Sequence, residues 1–283
     1  TNKQIAKKGK MSEMTIGYRI KKLLENKIVR NFYIKTNPGK IGYFEYKVFL
    51  RVKPLTNGEE KEFTDFFTKR NEVIWFSSTR GNYDYIISLL ARDVHDFSIL
   101  YEELFSKFGD VILQRNVCAV ESAVTFSRGF LQNKTPQEYK YGGKEEKIEI
   151  DKEDKKLLQL ITQNARMTAT ELASIMKVSA DKIIYRLKRL KKQNFLTGFG
   201  ISLNLKEIGM KQYLIALKMQ NMSPEKHNKL KEIAKNNQSI QYFIKIIGDR
   251  DVDLELEIKD DEQLDNLFKE IKSAFVNELR EYE

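Results

Sequence analysis

Two short runs crowd positive charge in the same pattern, YRIKKLLENKI at 18–28 and YRLKRLKKQNF at 185–195. Starting two residues before each run, apolar residues recur at i, i+4 and i+7: Ile16, Ile20 and Leu23 in the first, Ile183, Leu187 and Leu190 in the second. On a helix these make one buried stripe, and the lysines, arginines and tyrosines between them must point elsewhere. Ammonium and guanidinium groups held along one face are the chemistry of a surface that meets a polyanion. A basic helix face on its own is more often merely solvated, so the neighbouring elements decide.

Those neighbours are informative. Ser179 is a good N-cap for the second basic helix, as Ser12 is for the first. Ahead of Ser179, Thr168 or Thr170 can cap a helix carrying Leu172, Ala173, Ile175 and Met176, with a short KVS turn between the two helices. Further upstream, Asp154 can cap a helix with Leu157, Leu158 and Ile161 on one face. After the basic helix, FLTGFGISLN alternates aromatic and β-branched residues around two glycines, as the hairpin of a winged domain does. Helix, tight turn and capped basic helix is the arrangement that enters a DNA major groove. The candidate double-stranded DNA contacts are Ser12, Thr15, Tyr18, Arg19 and Lys22 in one head and Ser179, Lys182, Tyr185, Arg186 and Arg189 in the other. Arg19 and Arg186 rank last as base readers, because a head's own carboxylates can hold them. Where one head has Thr15, Gly17 and Lys22 the other has Lys182, Ile184 and Arg189, so two base-reading heads would prefer different half-sites.

The two runs belong to a longer repeat. A shift of 167 superposes Ala6 on Ala173, Phe32 on Phe199, Asn37 on Asn204, Gly42 on Gly209, Gly81 on Gly248 and Asp84 on Asp251. A period that long means two copies of a whole module rather than a solenoid. Charge follows the repeat. Residues 1–40 carry eleven Lys and Arg against two Asp and Glu, and 151–204 carry eleven against five. Residues 41–130 carry eleven against thirteen, and 205–283 carry thirteen against sixteen. The net charge of +10 is therefore segregated into two basic blocks, which predicts polyanion-facing modules joined to something else. The expected domains are 1–40 (a helix-turn-helix head without a counterpart of 151–167), 41–130, a linker at 131–150, a second head at 151–204, and 205–283, which is short at its end.

The acidic blocks read β-α-β-β-α-β. From Tyr43, YFEYKVFLRV reads as a strand, GEEKEFTDFFTKRN as an amphipathic helix, VIWFSSTRG and YDYIISLLA as strands, DVHDFSILYEELFSKFG as a helix, and VILQRNVCAVESAV as a further strand. That order is ferredoxin-like. The expected fold class is α+β, with two winged helix-turn-helix domains and two ferredoxin-like effector domains in tandem. The copies differ in the third strand. YDYIISLL is apolar on nearly both faces, whereas VDLELEI lines one face with Asp253, Glu255 and Glu257, which leaves that face wet or against basic partners.

Helix-turn-helix followed by βαββαβ, with a Gly-x-x-Asp turn between the middle strands, resembles the Lrp/AsnC (feast/famine) transcription regulators. The residues carrying the resemblance are TATELASIMKVSADKIIYRLKRLKKQNFLTGFGISLN and TRGNYDYIISLLARDVHDFSILYEEL. It implies a sequence-specific DNA-binding regulator whose effector domains dimerise through their sheets, and often a small amino-acid effector near the Gly-x-x-Asp turn. By matching positions, the effector contacts would be Gly81, Asn82, Asp84 and Gly248, Asp249, Asp251. A tight hairpin wants the same glycine and short polar residues for its own sake. With two modules in one chain, the expected partners are DNA, the other effector domain of the same chain in an unequal pseudo-dimer, and further copies in a homo-oligomer.

Other classes are bounded by what the residues allow. Cys118 is a single cysteine, which rules out an internal disulfide and a multi-cysteine metal site. The expectation is no metal, no cofactor and no catalytic group, with His95 and His227 in unrelated positions. Relatives of this architecture include sirohaem decarboxylases, so an enzyme of that kind is the alternative, and an architectural DNA-binding protein is a third. No run approaches a membrane span, the N-terminal TNKQIAKKGK lacks the apolar core of a signal peptide and an initiator Met, and cytoplasmic residence is the default.

Overall fold

A computed structural model describes residues 2–131 and 136–283; residue 1 and residues 132–135, part of the expected linker, lie outside the described residues. The chain forms two compact units, one from 1–37, 148–212 and 257–261, the other from 38–147, 213–256 and 262–283. Each sequence copy thus contributes to both.

The first unit begins with α1 (Asn2–Gly9) and α2 (Glu13–Glu25), followed by β1 (Val29–Thr36). Ser12 caps α2 by accepting the Thr15 N–H at 3.0 Å. The second unit follows with β2 (Phe44–Val52), α3 (Asn57–Thr68), β3 (Val73–Ser78), β4 (Tyr85–Ala91), α4 (Val94–Phe108), β5 (Ile112–Phe126) and β6 (Glu138–Gly142). A capping box of Thr56 and Glu59 starts α3, and Asp93 starts α4. The chain then returns to the first unit with α5 (Lys152–Gln163), α6 (Ala169–Met176), α7 (Ala180–Lys192) and β7 (Leu196–Leu203). The cap of α5 is Asp151, with Asp154 as its capping-box partner one turn in; Thr168 and Glu171 box α6, and Ser179 caps α7. The rest is β8 (Lys211–Met219), α8 (Pro224–Asn236), β9 (Ile240–Ile247), β10 (Val252–Ile258), α9 (Asp261–Ala274) and β11 (Leu279–Tyr282).

The repeat persists in individual dihedrals. Lys10 and Lys177, Lys27 and Asn194, and Gly42 and Gly209 all take positive φ at equivalent turns. In the first unit, Leu157, Ile161, Leu172, Ala173 and Ile183 form the core of the three-helix head. The two-helix head buries Ala6 and Ile16 but leaves Leu23 39% exposed, which corrects the expected Ile16–Ile20–Leu23 stripe. Leu190, at the equivalent position in the three-helix head, is fully buried.

The expected winged hairpins are also corrected. Residues 196–203 form one continuous strand, and β7 pairs antiparallel with β1, so each head gives one strand to a shared ribbon. Gly200 sits opposite Tyr33, and a Cβ there would come within 2.4 Å of the tyrosine ring. That glycine makes room for a ring; it does not turn the chain. Ile34 of β1 packs into the core of the three-helix head, and Arg30 bonds the Asn204 side chain at 3.2 Å.

In the second unit both β-α-β-β-α-β halves share one sheet of order β11-β8-β10-β9-β5-β2-β4-β3. The long β5 joins them, pairing with β2 through residues 112–119 and with β9 through 119–125. Part of the expected linker is a strand instead: β6 pairs with the end of β5, from Ser122↔Gly142 to Phe126↔Glu138. In half one, one face of β2 and β4 packs on α3 and α4 around Val48, Leu50, Phe63 and Ile87. Their other face meets half two in a second core containing Phe49, Ile86, Cys118, Ile244 and Ile246. Side chains alternate across a strand, so Glu45, Lys47 and Phe49 all look into that second core.

Candidate nucleic-acid interface and buried polar centre

On α7 the inward positions are Ile183, Arg186 and Leu190. The outer face exposes Asp181, Ile184, Tyr185, Lys188, Lys191 and Lys192, with Tyr185 65% exposed. At its N-terminus the Ser179 hydroxyl accepts the Lys182 N–H at 3.2 Å, and Lys182 Nζ bonds Glu153 at 2.8 Å between exposed side chains. On α2 the matching face shows Met14, Tyr18 (60% exposed), Arg19, Lys21 and Lys22, with Lys22 Nζ 5.7 Å from the Tyr18 ring centre. Thr15 is exposed and its hydroxyl lies 2.8 Å from that of Ser12.

Arg186 has to be taken off the outer face. Its guanidinium, 8% exposed, turns inward and donates from Nη1 to Asp151 and Asp154, at 2.7 Å each, and from Nη2 to Glu153. Arg189 also donates to Asp154, whose side chain is wholly buried. Burial works against the Arg186 charge, but hydrogen bonds to Asp151 and Asp154 hold it protonated more firmly than usual. These acids stand at the start of α5, where the helix dipole also favours them. Arg186 and Arg189 therefore tie α7 to α5. Lys188 and Ile184 were not among the expected contacts, although Lys188 stands i+3 from Tyr185 and i+4 from Ile184, which places all three on the same outer stripe.

The turn residues divide by role. Asp84 accepts the Val52 N–H at 2.9 Å, and Asp251 accepts the Met219 N–H at 2.7 Å, so each finishes the first strand of its half. Asp249 accepts from Asn116 at 3.0 Å and from Lys218 at 3.2 Å. A Cβ on Gly248 would come within 2.8 Å of Cys118 Sγ, whereas Gly81 faces open space and Asn82 is exposed. An open groove lined by Val52, Lys53, Leu55, Glu60, Asp84 and Tyr85 runs beside Asp84.

A polar centre that the sequence reading did not assemble lies between the halves. Lys47 Nζ donates to Asp253 at 3.3 Å and to Glu255 at 3.1 Å, with Lys47 and Asp253 side chains no more than 1% exposed. Burial opposes the Lys47 charge, but Glu255 and Asp253 push it above the ordinary lysine range. The neighbouring Glu45 accepts from Ser88 at 2.9 Å, and burial pushes its carboxyl up against the pull of Lys47. Arg250 lays its guanidinium 4.1 Å from the centre of the Phe49 ring. The acidic strand β10 thus meets a basic partner, one of the two outcomes its pattern allowed. His95 is exposed on α4, and His227 is half-buried on α8, where burial pushes its imidazole down. Among the described residues, no group of His, Cys, Asp and Glu is placed to hold a metal, and no helix is long and apolar enough to cross a membrane.

Residues 150–197 match the family described as winged helix-turn-helix DNA-binding, and residues 47–113 match the Lrp/AsnC ligand binding domain. An uncharacterized HTH-type transcriptional regulator of Pyrococcus furiosus is 24% identical over 128 residues, which span 45% of this chain and 84% of that protein. The HTH-type transcriptional regulator LrpA of Pyrococcus abyssi is 27% identical over 115 residues, 41% of this chain and 80% of that one. Among solved structures, the siroheme decarboxylase NirDL shares the fold over the whole of this chain and 83% of its own, with a TM-score of 0.64 at 12% identity.

Proposed function

The chain belongs to the Lrp/AsnC family, and on that premise we propose that it is a sequence-specific DNA-binding transcription regulator built as a tandem of two family modules. The observation that carries the reading is the outer face of α7: a helix capped by Ser179, tied to α5 by Arg186, and exposing Ile184, Tyr185 and Lys188. Tyr18 and Lys21 repeat that face on α2. Each of the two Pyrococcus regulators is matched along about four fifths of its own length by less than half of this chain, which supports two modules. Because β1 and β7 share a ribbon, the second head's binding is intramolecular once the first is bound. The faces differ, with Met14 and Gly17 on one and Asp181 and Ile184 on the other, so the preferred operator is an unequal pair of half-sites.

Footprinting on the DNA upstream of the protein's own gene tests this. Two protected segments spaced by a whole number of helical turns support it, with affinity falling linearly on a log–log salt plot. Protection without sequence preference would make the protein architectural, and no protection would end the DNA reading. For the effector, the groove beside Asp84 offers Lys53 and Glu60, the opposite charges a free amino acid needs. A panel of amino acids should then contain members that raise the melting temperature of the second unit and change operator affinity. Catalysis is outside this reading. Tetrapyrrole absorbance in the purified protein would favour an enzyme of the NirDL kind over it.

A further inference from the structure

We propose that the buried charges between the two halves of the second unit select the pairing: they accept one half of each kind and reject two of the same kind. The partner that fits the inner face of half one is half two, of the same chain or of a second copy. This inference stands apart from the DNA reading.

The argument comes from the repeat. Under the shift of 167, Lys47 of half one corresponds to Leu214 of half two, while Ile86 and Ser88 correspond to Asp253 and Glu255. In the observed pair Lys47 lies opposite Asp253 and Glu255, and Leu214 joins the apolar cluster that contains Ile86. Each face is therefore matched to the other: cation to carboxylates, leucine to isoleucine.

Pairing two copies of half one would set each Lys47 opposite Ile86 and Ser88, stripping the ammonium of both carboxylates that now hold it. Glu45, already engaged by Ser88, would be its one remaining near acid. Pairing two copies of half two would gather two Asp253 and two Glu255 around leucines; each Asp253 would keep the Arg250 of its own half, 3.9 Å away, but four carboxylates would then share two guanidiniums and no lysine. An unpaired charge in a dry interior is far costlier than a paired one, and like charges brought together there are worse. Either like pairing separates Lys47 from both carboxylates, and the unlike pairing brings the three together. The device is one of exclusion, because a hydrophobic residue at all of these positions would pack in any combination.

The test uses the full chain in complementary variants. L214K/D253I/E255S gives half two the residues of half one, and K47L/I86D/S88E gives half one those of half two. Each variant alone is expected to lose the wild-type melting transition of this unit, since neither can pair its buried charges. Refolded together in equal amounts, they should recover the transition as a species containing one chain of each. Native mass spectrometry should then find mixed pairs in about a hundredfold excess over like ones. K47L/D253I/E255S, which removes the lysine and both carboxylates that hold it and keeps Glu45 and Arg250, separates mispairing from misfolding and should melt cooperatively. The proposal is overturned if either complementary variant alone melts as wild type does, if the mixture shows no excess of mixed pairs, or if K47L/D253I/E255S cannot fold.

Discussion

Replacing Arg186 by methionine distinguishes a helix clamp from a DNA contact, because the two roles predict opposite pairs of results. Methionine keeps much of the apolar stem and removes the guanidinium. Of the three carboxylates Arg186 holds, Asp151 and Glu153 are largely or partly exposed, and those pairs are worth little in water. Asp154 is different, since its side chain is fully buried. Removing one partner of a buried pair typically costs about 3–5 kcal/mol. Here the lower end applies, because Arg189 and the Asp151 N–H still reach Asp154. A loss of about 3 kcal/mol is roughly a hundredfold in the folding equilibrium, and on the order of 10 °C or more in the melting of a unit of this size. Thermal melts of the head unit should show that drop, and R186M/D154L, which removes both charges, should recover much of it. Operator affinity, measured well below both transitions, should keep the wild-type salt dependence. The clamp is refuted if R186M melts like wild type while its salt slope shrinks by about one, the signature of a lost phosphate contact.

Three further outcomes rest on the same geometry. Lys188 and Lys21 are exposed on the outer faces, so K188A or K21A should leave the melting temperature unchanged, flatten the log–log salt slope by about one, and lower affinity at ~0.1 M salt by roughly eightfold. G200A should destabilise the ribbon by about 1–3 kcal/mol through collision with Tyr33, and Y33A in the same chain should relieve it, both read from urea melts. Burial raises the Glu45 carboxyl, so the folded protein holds that proton more tightly than the unfolded chain does. Its stabilising contribution is complete below the unfolded pKa and is lost as pH rises through the folded one. E45Q should therefore flatten the decline in stability as pH rises above the ordinary carboxylate range, and an unchanged profile would sink the assignment.

The features legible in the sequence were those that neighbours along the chain decide. Ser12, Ser179 and Thr168 cap helices three residues ahead, and the turn positions Lys10 and Lys177 lie within the same few residues in both copies. The heads and the β-α-β-β-α-β order therefore emerged from spacing alone. Partners far apart in the chain did not. The glycines of FLTGFGISLN look like a turn until Tyr33, 167 residues away, occupies the space a side chain at Gly200 would need. Residues 138–142 look like linker because the strand they extend is chosen by β5. Arg186 is the middle case, since a basic residue at an inward helical position already signals a carboxylate beneath it, but α5 alone shows which one. Asp253 and Glu255 are the hardest, because the rule that charged residues face water holds almost everywhere else. Their burial requires Lys47, two hundred residues earlier, and Lys47 requires them. No window of sequence contains that dependence. Yet the repeat does contain its trace: one copy has Lys47, Ile86 and Ser88 where the other has Leu214, Asp253 and Glu255, and a conventional pair of equal subunits could not use either set. Two halves that no longer meet copies of themselves are free to diverge on the inner face while the helix caps and turns of both copies are kept.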